Sequence, residues 1–340
     1  MTQIITRIED NVHSFWEKEL ANVVTDPKQL LSMLNIDEKQ YRSHFNARKL
    51  FPVRVPRPFI AKMQCGKIDD PLLRQVMPSS EEFVDVEGFI SDPLEEHNTV
   101  AEGLLHKYHN RVLMIVKAGC AVNCRYCFRR HFPYQDNSPN KQRWQPALDY
   151  ISAHDELNEV IFSGGDPLMA KDSHLQWLVD KVSDVSHIKR LRIHTRLPVV
   201  IPKRINQALL DTLSQTRLQV VMVLHINHSN ELCDDLAQAV AQLRQHNVLV
   251  LNQSVLLKGV NDDSAVLCEL SERLFDIGVI PYYLHLLDPV KGAAHFNVEL
   301  SAATTIAKQM MANLPGFLMP KVVQELAGEA NKTPINLSLC

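Results

Sequence analysis

The stretch that decides the fold is Arg111-Val112-Leu113-Met114-Ile115-Val116, followed by Cys120-Ala121-Val122-Asn123-Cys124-Arg125-Tyr126-Cys127. Its first part is an apolar run with the character of a β-strand, and its second part is a loop with three cysteines at x3 and x2 spacing. Three such thiolates can bind three irons of a four-iron cluster, and the fourth iron is then open to a small molecule. The pattern therefore predicts a reactive metal centre directly after a strand.

The composition of the 340-residue chain is that of a globular protein with a substantial core. Hydrophobic residues make up 45% of it, and the mean hydropathy is -0.14. The net charge of -3 gives no electrostatic footprint for nucleic acid. No apolar run approaches the roughly 20 residues of a membrane helix, and residues 1–10 lack the pattern of a signal peptide. We therefore expect a cytoplasmic protein that binds neither membranes nor nucleic acid.

The other cysteines do not indicate a disulfide framework. The chain has seven cysteines, an odd number, and no secretory signal is recognised. Free cysteine usually behaves as a small apolar residue, so we interpret the four scattered ones as ordinary thiols: Cys65, Cys233, Cys268 and Cys340.

The pattern of the chain changes near residue 106. Residues 1–105 are predicted to be mainly helical and irregular, because helical apolar spacing at 14–20 and 30–34 gives way to repeated prolines. From residue 111 short apolar runs alternate with amphipathic stretches. We expect strands at 111–117, 159–163, 190–195, 218–225, 248–256 and 280–287, and helices near 145–154, 173–185, 203–214, 231–246, 264–276 and 301–313.

Six strand–helix units at this spacing predict an α/β protein with a parallel sheet and helices outside it. A dinucleotide-binding fold would need a glycine-rich turn after its first strand, where this chain has the cysteine loop, so a closed or partial β/α barrel fits better. After residue 314 a separate extended run is predicted at 317–323. We therefore expect three parts: residues 1–105, the barrel at 106–314, and a C-terminal segment at 315–340.

Polar side chains collect where the predicted strands end. They follow or close successive strands at Ser163-Gly164-Gly165-Asp166, His194-Thr195-Arg196, His225-Ile226-Asn227-His228, Asn252-Gln253-Ser254 and His285-Leu286-Leu287-Asp288. Barrel enzymes build their active sites at the carboxyl ends of the strands. The cysteine loop and these residues are therefore predicted to form one site. Cysteine spacing alone leaves a structural Cys3His zinc site with His131 open, although its place on this face favours a cluster.

The cysteine spacing, Tyr126 before the last cysteine, and the Gly164-Gly165-Asp166 turn together resemble the radical S-adenosylmethionine (SAM) superfamily. That resemblance implies a partial (β/α)6-type, TIM-like barrel and a [4Fe–4S] cluster on Cys120, Cys124 and Cys127. It also implies that SAM is cleaved there to a 5′-deoxyadenosyl radical. The glycine turn would bind the methionyl amino group, since a backbone without Cβ permits close approach. Without the cysteines, the two glycines would indicate a simple βα turn.

Further motifs narrow the resemblance to the lysine 2,3-aminomutases. They lie in collinear order over about residues 70–335: 103–113, Phe128-Arg129-Arg130-His131-Phe132, 163–168, 252–257 and Lys332-Thr333-Pro334. Details such as His131-Phe132-Pro133-Tyr134 most resemble the short subgroup that makes (R)-β-lysine for elongation factor P. Two departures stand out. Glu325 replaces an aspartate seven positions before the lysine, and a glycine run before Lys332 is missing.

Carried over residue by residue, the resemblance implies a second cofactor, pyridoxal phosphate, attached to Lys332. Arg111 and Gln253 would hold or flank it, with Tyr108 near its ring.

Arg129 would bind the substrate carboxylate, for which its guanidinium fork is well shaped. Asp288 and Glu325 would receive the ε-ammonium group. The SAM site would be lined by Tyr126, Gly164, Gly165, Asp166 and Arg196. Without the collinear pattern, Lys332 and Arg129 would read as solvated surface residues and Asp288 as part of a turn.

The resemblance implies an isomerase that converts free L-α-lysine to β-lysine, with a flavodoxin or ferredoxin as reductant. A separate lysyl ligase would attach the product to elongation factor P, and homo-oligomer formation stays open. Two alternatives remain at this point. One is a radical aminomutase for another basic amino acid, such as ornithine or arginine; acidic side chains at 288 and 325 disfavour glutamate. The other is a zinc-site barrel protein without radical chemistry.

Overall fold

The computed structural model describes residues 15–97, 99–133 and 141–337, without the side chains of 141–143. Ser14 of the first predicted helix, Tyr134 of the subgroup motif and Cys340 lie outside these ranges. The described part contains one nine-stranded sheet with its strands in chain order. The strands are β1 Leu104–Tyr108, β2 Arg111–Lys117, β3 Glu159–Gly164, β4 Arg190–Thr195, β5 Gln219–His225, β6 Leu249–Val255, β7 Ile280–His285, β8 Lys321–Gln324 and β9 Thr333–Pro334.

Strands β2 to β8 are parallel, and β1 and β9 are antiparallel edges. The predicted α/β class and the six β/α units are confirmed, and β8 adds a short seventh parallel strand. Among the described strands, no backbone pairing joins the two edges of the sheet. A side-chain contact spans the gap instead: Tyr108, at the end of β1, donates a hydrogen bond of 3.2 Å to Glu325, directly after β8. A partial barrel is the result.

The helices follow the predicted alternation with the strands. They are α1 Phe15–Ala21, α2 Pro27–Met33, α3 Arg57–Ile60, α4 Pro71–Arg74, α5 Lys141–Ala153, α6 Asp172–Ser183, α7 Leu197–Val200, α8 Gln207–Ser214, α9 Asp234–Gln245, α10 Ser264–Asp276 and α11 Leu300–Asn313. Helix α6 illustrates the packing, since Leu175, Leu178, Val179 and Val182 form one buried face.

Two helices begin later than the sequence predicted. The 3₁₀ turn Pro202–Arg204 runs into the start of the range predicted at 203–214. Asn206 then caps α8, because its side chain accepts a hydrogen bond from the amide of Leu209 at 2.9 Å. Helix α9 begins at Asp234 because a second 3₁₀ turn, Ser229–Glu231, precedes it. A polar cap therefore fixes the start of α8, whereas α9 has no side-chain cap and starts after the preceding 3₁₀ turn.

The N-terminal region packs directly on the barrel. Its helices are short, as the prolines predicted, and Pro27 and Pro71 stand in the first turn of α2 and α4. Trp16, Leu30 and Phe59 belong to the same hydrophobic core as the barrel helices. This region therefore stands beside the sequence-predicted site. The three-part division of the chain remains a prediction.

The short edge strands were not predicted. Strand β1 forms a tight hairpin with β2 across His109 and Asn110, with Tyr108 paired to Arg111. Its alternation of polar and apolar residues is weak, so no clear pattern predicts this strand. The run predicted to be extended at 317–323 is divided between a 3₁₀ turn, Gly316–Leu318, and β8. Among the described residues, no helix is long and apolar enough to cross a membrane.

Candidate active site

One cavity of about 620 Å³ runs through the barrel and is lined by every residue to which the resemblance gives a binding or catalytic role, whereas the strand-end residues Asn227, His228, Asn252 and Ser254 do not line it. Its volume lies within the roughly 300–1,000 Å³ typical of ligand sites. The predicted residues that line it are Tyr108, Arg111, Cys120, Cys124, Tyr126, Cys127, Arg129, Gly164, Gly165, Asp166, Arg196, Gln253, Asp288, Glu325 and Lys332. Residues far apart in the chain therefore meet in one chamber.

The three thiols lie together at one end of this cavity. Burial and the neighbouring Cys127 raise the pKa of Cys120 well above its usual value, and burial with Cys124 raises the pKa of Cys127 to about 11. These thiols need cationic partners before they can be held as thiolates. A cluster supplies such partners, and three thiols facing one open chamber fit three of its four irons.

The candidate fourth ligand of a zinc site makes another contact. The ring nitrogen Nε2 of His131 contacts the carbonyl oxygen of Lys291 at 3.1 Å. Within the described ranges, no three side chains of histidine, cysteine, aspartate or glutamate are arranged around a single metal position. A tetrahedral zinc site holds its ligands around one ion, whereas cluster cysteines bind different irons. The contact made by His131 therefore favours the cluster over a Cys3His zinc site.

The glycine turn packs against the start of the cysteine loop. A Cβ on Gly164 would lie 2.4 Å from the carbonyl oxygen of Lys117, and one on Gly165 would lie 2.6 Å from that of Gly119. Gly164 also has a φ of +121°, which favours glycine. The amide of Gly165 donates to the Lys117 carbonyl at 2.7 Å. Glycine is therefore required by this backbone contact, in addition to the predicted approach of a ligand.

Asp166 holds neighbouring strand ends together. Its carboxylate accepts the Thr195 hydroxyl at 2.7 Å and the amides of Arg196, Leu197 and Leu168 at 2.8, 2.9 and 3.0 Å. Burial raises its pKa, and these hydrogen bonds oppose the shift. Its contacts are thus structural in the absence of ligand, and its assignment to the SAM site remains a prediction.

Arg196 is fixed beside Cys124 by a buried polar network. Its Nη1 lies 2.7 Å from the Cys124 sulfur and donates to the Tyr126 hydroxyl at 2.6 Å, while Nη2 pairs with Glu231 at 2.9 Å. Gln75 accepts from Arg196 Nη2 at 2.6 Å and donates to Glu231 at 3.2 Å. The sequence predicted Arg196 and Tyr126 but missed Gln75 and Glu231, which no local pattern distinguishes.

We expect Glu231→Gln to destabilise the protein by about 3–5 kcal/mol, because it leaves the buried Arg196 guanidinium without its carboxylate. Burial alone would raise the pKa of Glu231, but Arg196 and nearby hydrogen bonds hold it below its usual value. Urea unfolding of the cluster-free protein measures the effect. The matched control Glu269→Gln, in an exposed pair with Arg273, should cost about 0.5 kcal/mol or less. Equal losses of unfolding free energy in the two variants would contradict the role of Glu231 as the partner of buried Arg196.

Arg129 is held by a carboxylate that the sequence did not predict. Glu96 accepts from its Nε at 2.5 Å and from its Nη2 at 3.1 Å, and also pairs with Lys107 at 2.9 Å. Burial alone would raise the pKa of Glu96, but the two cations hold it below its usual value. Lys107 also lies 3.4 Å from Glu325, which pairs with Lys332, so three cations and two carboxylates form one network with one net positive charge. A further carboxylate, such as that of a substrate, would neutralise that charge.

Lys332 lies in contact with Glu325 in the same chamber. Burial alone would raise the pKa of Glu325, but the charges of Lys332 and Lys107 hold it at about 2. Asp288 differs: burial and the charge of Glu325 raise its pKa to about 7, with Lys332 opposing the shift. Lys332 is therefore near two carboxyl groups whose pKa values are shifted in opposite directions, downward for Glu325 and upward for Asp288.

The remaining predicted residues surround Lys332. The Arg111 guanidinium lies 4.2 Å from the centre of the Tyr108 ring, and its Nη1 donates to Asn110 at 3.0 Å. Lys332 Nζ is 5.9 Å from the centre of the Tyr283 ring. Gln253, on β6, lines the same wall. A primary amine with a guanidinium and aromatic rings nearby fits the donor set that pyridoxal phosphate needs.

The fold and the site define the class of protein. A family model described as the radical SAM superfamily matches residues 114–270, from β2 into α10. Three cysteines after the first parallel strand of a partial barrel are the shared centre of this class. It implies a [4Fe–4S] cluster and SAM, and the superfamily predicted from the cysteine loop is confirmed.

Curated relatives place the chain more narrowly. It is 56% identical over 325 residues, 95% of each chain, to L-lysine 2,3-aminomutase of Escherichia coli (strain K12). It is 46% identical to the protein of the same name from Buchnera aphidicola subsp. Baizongia pistaciae, over 98% of each chain. For the Clostridium subterminale protein of that name the identity is 29%, over 98% of this chain and 80% of that one.

The chain belongs to the L-lysine 2,3-aminomutase family and is an isomerase with a radical SAM domain. The family and enzyme class predicted from the motifs are thereby confirmed. The elongation factor P subgroup, pyridoxal phosphate and the roles of single residues remain predictions.

Proposed function

We propose that this protein converts free L-α-lysine to β-lysine, in the R form, by moving the amino group from C2 to C3. The observation that carries the proposal is the single chamber lined by the three cysteines, by Lys332 and by the charged side chains of Arg129, Asp288 and Glu325. The names of the curated relatives support the substrate. The function class is thereby specified as a lysine 2,3-aminomutase.

The cofactors would be held by this chain's own residues. Cys120, Cys124 and Cys127 would bind the [4Fe–4S] cluster, which with SAM supplies the radical that removes a hydrogen atom. Lys332 would bind pyridoxal phosphate, which supplies delocalisation of the unpaired electron during migration. Around them, the walls orient the substrate and exclude water from the reacting atoms.

Substrate orientation would depend on charge at both ends. Arg129 belongs to a network of three cations and two carboxylates, whose net positive charge a free substrate carboxylate would neutralise. Asp288 and Glu325 would receive the ε-ammonium group. A lysine joined to a protein through its carboxylate would carry no charge for Arg129. We therefore propose free lysine as the substrate, with ornithine and arginine as the basic amino acids to exclude.

The test is an anaerobic assay of cluster-reconstituted protein with SAM, pyridoxal phosphate, a reductant and L-lysine, followed by chiral chromatography. We expect (R)-β-lysine, and less or no product from ornithine or arginine. Cleavage of SAM without formation of β-lysine would contradict lysine as the substrate but would still be consistent with a radical SAM enzyme. Activity without added or bound pyridoxal phosphate would contradict the second cofactor.

L-lysine amide should be a poor substrate, because its neutral end cannot pair with Arg129. Loss of a charge-assisted hydrogen bond costs about 1.5–3 kcal/mol, or roughly 10–150-fold in kcat/KM. Product formation from the amide and from L-lysine is compared in wild type and in Arg129→Lys. Arg129→Lys should narrow the difference in kcat/KM between L-lysine and its amide, since lysine lacks the planar guanidinium group. Equal turnover of amide and acid by the wild type would rule out a carboxylate site.

The KM for lysine should fall as the pH rises from 6 to 8. The pKa of Asp288 is raised to about 7, so this group is neutral below pH 7 and charged above it. The substrate ammonium stays charged throughout, and its affinity should change by about tenfold per pH unit on the acidic side. Asp288→Asn should raise KM and flatten the profile, whereas the exposed control Asp276→Asn should not.

The product would be used in the cytoplasm by a ligase that attaches it to a lysine of elongation factor P. The motif His131-Phe132-Pro133-Tyr134 supports this assignment through its resemblance to that subgroup. A flavodoxin or ferredoxin would supply the electron, and the oligomeric state would be measured in solution. Mass spectrometry of elongation factor P from cells with and without this protein tests the link. An unchanged mass would contradict it.

A further inference from the structure

The cysteine loop is held from outside the barrel. The amide of Asn123 donates to the carbonyl oxygen of Arg54 at 3.0 Å, and its side chain donates to that of Pro52 at 2.9 Å. The amide of Arg125 donates to the Gln75 carbonyl at 2.8 Å. The backbone of this loop is therefore fixed by the N-terminal region.

A buried carboxylate stands at the centre of this contact. Glu82 accepts from Arg125 Nε at 2.9 Å and also contacts its Nη2, and it accepts from Arg130 Nη2 at 2.7 Å. The side chains of Glu82, Arg125 and Arg130 are 0%, 0% and 1% exposed. These three residues are here named the Glu82 clamp. A buried carboxylate that pairs with two guanidinium groups fixes both of them.

The clamp spans the turn that carries two of the three cysteines. Arg125 lies between Cys124 and Cys127, and Arg130 lies three residues after Cys127. Arg130 Nη1 also donates to the carbonyl oxygens of Arg125 at 3.0 Å and Gly292 at 2.9 Å. One carboxylate thus ties the middle of the cysteine turn to its exit.

The clamp also determines charge near the thiols. Two guanidinium groups and one carboxylate leave one net positive charge. Both guanidinium groups lie near the Phe51 ring, with Cζ atoms 5.3 and 5.0 Å from its centre. Groups that support metal ligands in this way typically change metal affinity by roughly 10–100-fold when removed.

We propose that Glu82 is a positioning residue for the iron–sulfur cluster: through Arg125 and Arg130 it holds Cys124 and Cys127 at the separation that the cluster requires. The N-terminal region is then part of the cluster site. This inference rests on the cluster assignment made above and adds a residue outside the barrel to it.

The experiment compares Glu82→Gln and Glu82→Asp with two controls. Glu81→Gln changes the exposed neighbour in the same 3₁₀ turn. Asp172→Asn breaks the contact of 2.8 Å with the buried Arg204, away from the cysteines, and so controls for general destabilisation. The reconstituted proteins are compared by the rate of iron release to a chelator and by the low-temperature EPR spectrum of the reduced cluster.

We expect Glu82→Gln to release iron roughly 10–100-fold faster than wild type and to change the EPR spectrum. Glu82→Asp keeps the charge but shortens the reach, so it should fold and lie between them. Both controls should keep the wild-type spectrum. Wild-type release rates and spectra in both Glu82 variants would overturn the proposal, as would equal changes in Asp172→Asn. A wild type that takes up no cluster would instead overturn the cofactor assignment itself.

Discussion

Cys127→Ala is expected to lose the brown cluster chromophore and all detectable conversion of lysine. Three thiols face one chamber and each is expected to bind a different iron, so removal of Cys127 leaves one iron without its thiolate. The loss should exceed the roughly 100-fold seen for residues that only support metal ligands. Absorbance near 400 nm, iron content and β-lysine formation measure it.

The matched control for this variant is Cys65→Ala, at an exposed cysteine of the N-terminal region. It should keep wild-type iron content and activity. A wild-type protein that bound zinc and stayed colourless would contradict the cluster. So would a Cys127→Ala variant that kept full iron and turnover.

Lys332→Arg is expected to lose pyridoxal phosphate binding through the lysine, and activity with it. Arginine keeps the positive charge that pairs with Glu325 but cannot replace the primary amine in a covalent linkage to the cofactor. The expected fall in kcat is on the order of 10⁴-fold or more, as when a covalent catalytic residue is removed. Cofactor absorbance after borohydride treatment and β-lysine formation are the measurements.

A second variant separates charge from chemistry at this position. Lys332→Ala removes both, so the pKa of Glu325 should rise, because burial is then opposed by Lys107 without Lys332. Lys321→Ala, at the exposed start of β8, is the control and should retain cofactor and activity. Full activity in Lys332→Arg would exclude this lysine as the attachment point.

The fold could be predicted closely because its signals are local. Strand β2 is an apolar run and β4 alternates polar with apolar residues, and the boundaries of both match the prediction. Asp166, Thr195 and Arg196 were correctly predicted at strand ends. Hydrophobic alternation depends on neighbouring residues alone. Where local capping or a tight hairpin overrides this alternation, as at α8 and β1, the prediction was displaced or absent.

The partners of the site were out of reach of the sequence. Glu96 lies 33 residues from Arg129, Glu82 lies 43 from Arg125, and Gln75 lies 156 from Glu231. Each acidic partner stands in a loop or a short 3₁₀ turn, where sequence alone would suggest a solvated residue. No periodicity relates such pairs, so only their meeting in space reveals them.

By itself the sequence determined the βα order, the cysteine loop, the glycine turn and the motifs that indicate the family. These are matters of residue type and spacing along one chain. The tertiary structure alone decided which charges meet. It pairs Arg129 with Glu96 and brings Glu82 to the buried arginine of the cysteine loop. It also shifts the pKa values of Glu325 and Asp288 in opposite directions. Burial and Coulomb interactions depend on distance in space, which the folded chain sets.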